Sequence, residues 1–233
     1  MYINTDYLVT DPERWKVIAP FSMTPTEITI HNTYNDATAI NEVKNVKNNS
    51  TGTSFHVAVD DVGAWQVVPF NRNAWHAGDG TYGAGNRNSI GVEICYSKSG
   101  GERYRKAELN AVVLVRQLMR QFNIPASKVK THQERNGKYC PHRMLDEGRV
   151  GRFKSEIAKT EEVVKMFKVQ TGGVGFSNLQ DLAQAMNNAG MDGQIVIQKD
   201  GLGYAVTNAY PAGNMDKFTA WLDGKGWWYQ YIN

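Results

Sequence analysis

Three side chains able to ligate a metal lie at or beyond the ends of predicted strands. His31 closes the strand predicted at 28–31, His132 closes the one predicted at 128–132, and Cys140 follows eight residues later. Because neighbouring parallel strands end at the same edge of a sheet, these residues are expected to lie close together. Two imidazoles and a thiolate give zinc three protein ligands and leave the fourth tetrahedral position to water. Spacing alone leaves the alternative that both histidines are core or surface residues without a metal.

A carboxylate and a lysine could supply acid–base and electrostatic chemistry beside such a metal. Glu93 lies within the apolar run 90–94, where burying a carboxylate is costly without a cation or a catalytic role. Strand alternation offers the alternative that Glu93 faces solvent. Lys138 precedes Cys140 by two residues, so an extended segment would place both on one face, where Lys138 could stabilise a developing oxyanion. A solvated surface lysine is the alternative.

The other histidines and the second cysteine have more ordinary interpretations. His56 is expected to pack or hydrogen-bond within the sheet. His76 precedes a glycine-rich loop, where lining a groove and a structural role are both open. His142 could chelate a metal together with Cys140. Cys95 is most simply a small buried apolar residue, and a Cys95–Cys140 disulfide, which would remove the thiolate ligand, is the competing account.

Alternating strands and helices are predicted around these residues. Strands are expected at 28–31, 54–59, 64–68, 89–95 and 128–132, and a helix at 106–122. In that helix Ala111, Val115, Leu118 and Phe122 recur at helical spacing. This alternation is typical of an α/β sheet covered by helices, and it assigns residues 1–160 to a first domain.

A change of composition after residue 160 predicts a second, smaller domain. Residues 161–173 are expected to be a linker and 174–233 the domain itself. A hairpin turn at 199–201 and two helices precede a final strand at 227–231. If 163–169 is also a strand, the order is βαββαβ, which closes a small α+β sheet.

Aromatic side chains are dense in this second domain. Trp227, Trp228, Tyr229 and Tyr231 could stack on sugar rings. Alternation along a strand turns half of them inward, and a small domain needs large aromatic residues for its core. The sequence therefore favours a core role for these residues over contact with a ligand.

Composition excludes several classes of protein. The 233 residues carry a formal charge of +3 and form no dense basic patch, so nucleic acid is not an expected partner. Apolar runs are far shorter than the roughly 18 residues that span a bilayer, so membrane insertion is not expected. The first 22 residues lack the apolar core of a signal peptide, and release from the cell of synthesis would then need another route. Two cysteines suggest a reducing compartment at synthesis.

Ordered motifs across residues 28–142 resemble one known family. They read ITIHNT at 28–33, SFHV at 54–57, AWHAG at 74–78, VEICY at 92–96, TH at 131–132 and GKYCPH at 137–142. The chain resembles the zinc-dependent N-acetylmuramoyl-L-alanine amidases of type 2, especially endolysins of phages that infect Bacillus-like hosts. Its tail DGKGWWY at 223–229 is similar to their cell-wall-targeting modules. The resemblance implies a mixed central sheet flanked by helices, followed by a wall-binding domain.

The resemblance also implies roles for individual residues. His31, His132 and Cys140 match the zinc ligands, Glu93 the residue that handles the proton of the attacking water, and Lys138 the cation facing the tetrahedral intermediate. His142 is left in a supporting position. Some family members carry a catalytic tyrosine where this chain has Phe55, and a phenyl ring transfers no proton, so acid–base work shifts to Glu93.

The implied function is that of an endolysin that hydrolyses the amide between N-acetylmuramic acid and L-alanine of peptidoglycan. Its partners are then peptidoglycan and other cell-wall polymers, and it acts on the wall after release from the host cytoplasm. The alternatives are a host autolysin with the same activity, a peptidoglycan-recognition protein that binds without cutting, and a metal-independent hydrolase with Cys140 as nucleophile. The sequence does not determine the oligomeric state.

Overall fold

The computed structural model describes residues 1–159 and 166–232 and divides the chain into two compact units, Met1–Lys159 and Thr160–Asn233. The first unit contains β1 (Ile3–Asn4), α1 (Pro12–Ile18), β2 (Glu27–Asn32), α2 (Ala39–Asn48), β3 (Val57–Val59), β4 (Ala64–Gln66), α3 (Ala84–Asn88), β5 (Ser89–Ile94), α4 (Gly101–Phe122), β6 (Val129–Thr131), α5 (His132–Asn136), α6 (His142–Asp146) and α7 (Val150–Ala158). A short 3-10 helix, Ala126–Lys128, precedes β6.

The strands of the first unit form one mixed sheet in the order β1-β4-β3-β5-β2-β6. Strands β3 and β4 form an antiparallel hairpin, and the other neighbours are parallel. The register places His31 of β2 beside Glu93 of β5, and Ile30 beside Thr131 of β6. Three strands therefore end together at one edge, and the predicted fold class, a mixed sheet flanked by helices with a smaller second domain, is confirmed.

Helix α4 covers the sheet with its apolar face. Ala111, Leu114, Val115 and Leu118 are fully buried, and each large aliphatic side chain contributes about 1.5–3 kcal/mol through removal from water. The helix begins at Gly101, five residues before the predicted start. The prediction began too late because the polar first turn carries no apolar repeat. It ends where Asn123 adopts a left-handed conformation, a common helix terminator.

The strand predicted at 128–132 ends one residue early. Strand β6 stops at Thr131, and His132 is the first residue of helix α5. Thr131 and Glu134 form a capping box: the Thr131 hydroxyl accepts from the Glu134 amide at 3.2 Å, and the Glu134 carboxylate accepts from the Thr131 amide at 2.7 Å. This reciprocal cap fixes the backbone on which His132 is carried.

The second unit is a smaller α+β structure. Its elements are β7 (Met166–Thr171), β8 (Val174–Gly175), α8 (Leu179–Asn188), β9 (Gly193–Ile197), β10 (Leu202–Thr207), β11 (Tyr210–Pro211), α9 (Asp216–Lys225) and β12 (Tyr229–Ile232). The sheet runs β11-β7-β10-β8, with β12 paired to β7 and β9 paired to β10 in the predicted hairpin. Helices α8 and α9 bury Leu182, Phe218 and Leu222 in its core.

Part of the segment expected to be a linker belongs to this sheet. Within 161–173, residues 166–171 form strand β7, which pairs with β10, β11 and β12. Residues 161–165, including the start of the strand considered at 163–169, lie outside the described residues. In the part of the chain that the structure describes, no helix has both the length and the apolar character needed to cross a bilayer.

Candidate metal centre

The three predicted ligands lie together in the first unit. His31 comes from β2, His132 from the first turn of α5, and Cys140 from the loop before α6. The Nδ1 atoms of the two histidines are 3.0 Å apart, and Cys140 Sγ is 3.9 Å from His31 Nδ1. The three ligand atoms all lie within 4.8 Å of one another, and all three residues are buried. Segments about a hundred residues apart therefore converge on one point.

This arrangement fits a zinc ion. Bonds of about 2.0–2.3 Å in a tetrahedron would separate the ligand atoms by roughly 3.3–3.6 Å. The two distances from His31 Nδ1, 3.0 and 3.9 Å, lie on either side of this range, and all three ligand atoms lie within 4.8 Å of one another. Burial holds the pKa of His31 well below its ordinary value, with His76 and His132 adding to the effect. Burial, followed by the Lys138 charge, lowers the pKa of His132 to about 4. Both imidazoles are therefore neutral near pH 7, the form that binds metal.

The thiol of Cys140 needs a cation to ionise. Burial raises its pKa to about 12, and the Glu93 carboxylate adds to the rise. The backbone amide of Asn32 donates to Cys140 Sγ at 3.4 Å, which orients the sulfur. A bound dication reverses this balance by stabilising the thiolate. The two cysteines are free thiols, so the Cys95–Cys140 disulfide considered from the sequence is absent from the described residues.

Glu93 stands beside His31 in the sheet register and lines the same groove as Cys140. Its side chain is not solvated as strand alternation would allow: Oε2 is buried and hydrogen-bonds to none of the described residues. Burial raises the pKa of Glu93 to about 8, with Glu42 adding to the rise and Lys138 opposing it. An oxygen held in this way remains available to a water molecule or a substrate amine.

Lys138 is exposed at the rim of the groove, which has a volume of about 530 Å³. The segment leading to Cys140 is a tight turn, because the Cys140 amide donates to the Lys138 carbonyl at 2.7 Å. The extended conformation assumed from the sequence is therefore wrong. Both side chains nonetheless line the groove, together with Phe55.

The remaining histidines have hydrogen-bond partners that identify their roles. His56 donates to the Arg72 carbonyl at 2.9 Å and accepts from the Gly91 amide at 2.9 Å, which confirms its place within the sheet. His142 donates to the Ser97 carbonyl at 3.2 Å. His76 is buried with its Nδ1 3.0 Å from His31 Nε2, a contact that sequence spacing could not reveal.

Comparison with known proteins identifies the family. Residues 21–143 match the sequence profile of the N-acetylmuramoyl-L-alanine amidases. The chain is 59% identical to the N-acetylmuramoyl-L-alanine amidase CwlA of a Bacillus species, over 94% of either chain. This chain belongs to the N-acetylmuramoyl-L-alanine amidase family. The family and the enzyme class predicted from the sequence, an amidase, are confirmed.

Solved structures of similar proteins match the first unit of this amidase. PlyL is 55% identical with a TM-score of 0.66, over 69% of this chain and 99% of that structure. The PlyG catalytic domain is 56% identical with a TM-score of 0.64, over 67% of this chain and 93% of that structure. Residues 188–231, in the second unit, match the sequence profile of the PlyG cell wall binding domain.

Proposed function

We propose that this amidase uses a zinc ion held by His31, His132 and Cys140 to hydrolyse the amide between the lactyl group of N-acetylmuramic acid and L-alanine. The observation that carries the proposal is the convergence of three buried ligand atoms within 4.8 Å. In this proposal residues 1–160 are the catalytic domain and 174–233 bind the cell wall. The chain acts as an endolysin, made in the host cytoplasm and active on the wall after release.

Acid–base chemistry in this proposal belongs to Glu93. When bound, zinc lowers the pKa of water and polarises the scissile carbonyl. Glu93 takes the proton of the attacking water and returns it to the leaving amine of L-alanine, which must be protonated before the C–N bond breaks. Oε2 of Glu93 has no hydrogen-bond partner among the described residues and is therefore accessible for both transfers, and the raised pKa of Glu93 favours the return of the proton to the amine. Phe55 offers no proton, so no second acid is assigned at that position.

Charge stabilisation belongs to Lys138. As the carbonyl carbon becomes tetrahedral, its oxygen gains negative charge, and a nearby ammonium lowers the energy of that state. Lys138 lines the groove together with Glu93 and Cys140, and its charge shifts the pKa of Glu93 downward. One well-placed donor of this kind contributes on the order of 3 kcal/mol to the transition state.

Wall binding is proposed for the exposed aromatic residues of the second unit. Trp228 is 61% exposed and Tyr231 is 45% exposed, whereas Trp227 and Tyr229 pack against the core. Trp228 and Tyr231 therefore expose ring surface that can cover the apolar faces of sugar rings, although Tyr231 also meets Phe167 and Tyr229 edge to face. The match to a cell wall binding profile supports this role.

The test is chemical analysis of digested peptidoglycan. We expect new N-terminal alanine without new reducing sugar, loss of the reaction with a chelator, and recovery with zinc. A Cys140→Ser variant should retain far less than the one zinc per chain expected for the parent. New reducing sugar without new alanine would contradict the amidase reaction. Binding of wall fragments without release of alanine at saturating zinc would favour a recognition protein.

Chelator insensitivity combined with inactivation by a thiol-alkylating reagent would point to Cys140 as a nucleophile. A Cys95→Ser variant is the matched control, because Cys95 is a second buried thiol outside the proposed ligand set. It should retain zinc and activity while Cys140→Ser loses both.

A further inference from the structure

We infer that His76 is a positioning residue that fixes the tautomer and the ring orientation of His31, and so directs His31 Nδ1 at the metal. The inference rests on the zinc site proposed above. It concerns a histidine outside the three candidate ligands, buried behind them and absent from the lining of the groove.

A chain of hydrogen bonds runs inward from the candidate ligand. His31 Nε2 lies 3.0 Å from His76 Nδ1, and His76 Nε2 lies 3.3 Å from the carbonyl oxygen of Ser89. The two rings meet edge to face, with centroids 5.1 Å apart and planes at 89°. His31 is thus held on the side opposite to His132 and Cys140.

The backbone carbonyl of Ser89 determines which atom donates and which accepts in both hydrogen bonds. A carbonyl oxygen only accepts, so His76 Nε2 carries the hydrogen and donates to Ser89. In a neutral ring Nδ1 of His76 is then an acceptor, and His31 Nε2 must be the donor. The remaining nitrogen of His31, Nδ1, keeps its lone pair and faces His132 and Cys140.

The protein builds a fitted niche for the His76 ring. A Cβ at Gly91 of strand β5 would lie 2.8 Å from two ring carbons of His76. Only glycine at this position therefore leaves room for the His76 ring. Asn86 Oδ1 accepts from the backbone amides of His76 at 2.9 Å and Ala77 at 2.8 Å, which anchors the segment that carries the ring. The ring therefore has little freedom to release His31.

A histidine that binds zinc generally donates its second ring N–H to a fixed acceptor, and loss of that acceptor weakens metal binding by about 10–100-fold. Carboxylates and backbone carbonyls commonly fill this role, and here a second imidazole fills it. We expect the loss of His76 to act on zinc affinity through His31, with a smaller effect on the fold.

The experiment compares two substitutions in the full-length protein. His76→Phe keeps a ring and removes the acceptor, whereas His76→Asn places an amide oxygen where Nδ1 stood and so retains an acceptor for His31. Zinc dissociation constants are measured by competition with a chromophoric chelator. We expect about a 10–100-fold increase for His76→Phe and a change within about threefold for His76→Asn.

A second measurement needs no variant. Long-range ¹H–¹⁵N correlation spectra of the zinc-free protein report which ring nitrogen of each histidine carries hydrogen. The hydrogen of both His31 and His76 is expected on Nε2, and hydrogen on Nδ1 of His76 would overturn the inference.

The outcomes separate this inference from the proposal beneath it. A parent protein that binds no zinc would overturn both. A parent that binds one zinc, together with a His76→Phe dissociation constant within threefold of the parent value, would overturn only the role of His76. Equal losses in His76→Phe and His76→Asn would also overturn that role, because the acceptor would then not matter.

Discussion

The two units of the chain divide its chemistry unequally. The five histidines and both cysteines all lie within residues 1–159, and residues 160–233 contain neither type. The first unit buries imidazoles, a thiol and a carboxylate among its apolar side chains, whereas the second buries mainly aliphatic and aromatic side chains. Every histidine and cysteine able to ligate a metal therefore lies in the first unit, whereas the second unit has a small apolar core and exposes Trp228 and Tyr231.

The largest expected effect is on catalysis in the first unit. Glu93→Gln keeps the shape of the side chain and removes the group that transfers protons, so kcat should fall about 10²–10⁴-fold while zinc content stays unchanged. Release of N-terminal alanine and zinc per chain are the measurements. Binding to intact walls, assigned to the second unit, should not change.

Glu108→Gln is the matched control for this substitution. Glu108 is another partly buried glutamate whose pKa is raised by burial, and it pairs with Arg149 at 3.4 Å, outside the groove that Glu93 lines. Equal losses of kcat in both variants would show that Glu93 acts only through the fold.

The next effect concerns the core of the second unit. Phe218 is fully buried there, and Phe218→Ala should lower the free energy of unfolding of that unit by about 3–5 kcal/mol. Wall binding should be lost, because so small a core cannot absorb this change. Hydrogen exchange read by mass spectrometry should show faster exchange in 166–232 alone. Parallel loss of cleavage of a soluble muropeptide would contradict the independence of the two units.

Acid should destabilise the first unit more than the second. Burial lowers the pKa of His56 to about 4, from an ordinary value of 6.5. Between pH 6.5 and pH 4 the unfolded chain takes up a proton at His56 that the folded chain does not. The contribution of His56 to the free energy of unfolding is therefore present above pH 6.5 and is lost as the pH falls toward 4. His56 alone accounts for roughly 3 kcal/mol of this loss.

Urea unfolding of the zinc-free protein at several pH values measures this effect. The slope of stability against pH should be steep for the first unit and shallow for the second, which has no histidine. In His56→Phe the free energy of unfolding of the first unit should depend less steeply on pH. The variant should also be less stable at neutral pH, because it loses the hydrogen bonds to Arg72 and Gly91. A slope unchanged from the parent would disprove the assignment to His56.

The smallest expected effect is on wall binding by exposed rings. Trp228→Ala should weaken binding to purified walls by about fivefold, which corresponds to about 1 kcal/mol, with stability changed by less than about 0.5 kcal/mol. Trp227→Ala, one residue earlier, removes a side chain that packs on the core and should lower stability instead. If both variants behave alike, the division of these aromatic residues into exposed and core pairs does not govern binding.

Local sequence patterns predicted much of the first unit. The repeat of Ala111, Val115 and Leu118 identified α4, because burial of one helix face leaves a direct trace in the sequence. The alternation of residue types at 28–31 identified β2, although every residue of that strand is buried. The Thr131–Glu134 capping box was also readable and would have moved His132 from a strand to the start of α5. The extent of the linker expected at 161–173 was harder to predict, because strand β7, Met166–Thr171, lies within a stretch that mixes charged and apolar residues.

The sequence by itself determined the alternating strands and helices, the kinds of ligand available and, through its ordered motifs, the family. Strand ends also predicted that His31, His132 and Cys140 lie close together, but only the tertiary structure gave the distances between their ligand atoms. It alone decided that Glu93 Oε2 is buried with no hydrogen-bond partner among the described residues, and that His76 stands behind His31. The physical reason is the separation of the contacting residues along the sequence. Helix and strand patterns arise between residues only a few positions apart. Contacts between residues 45 to 109 positions apart depend on strand register and loop closure, which local patterns do not encode.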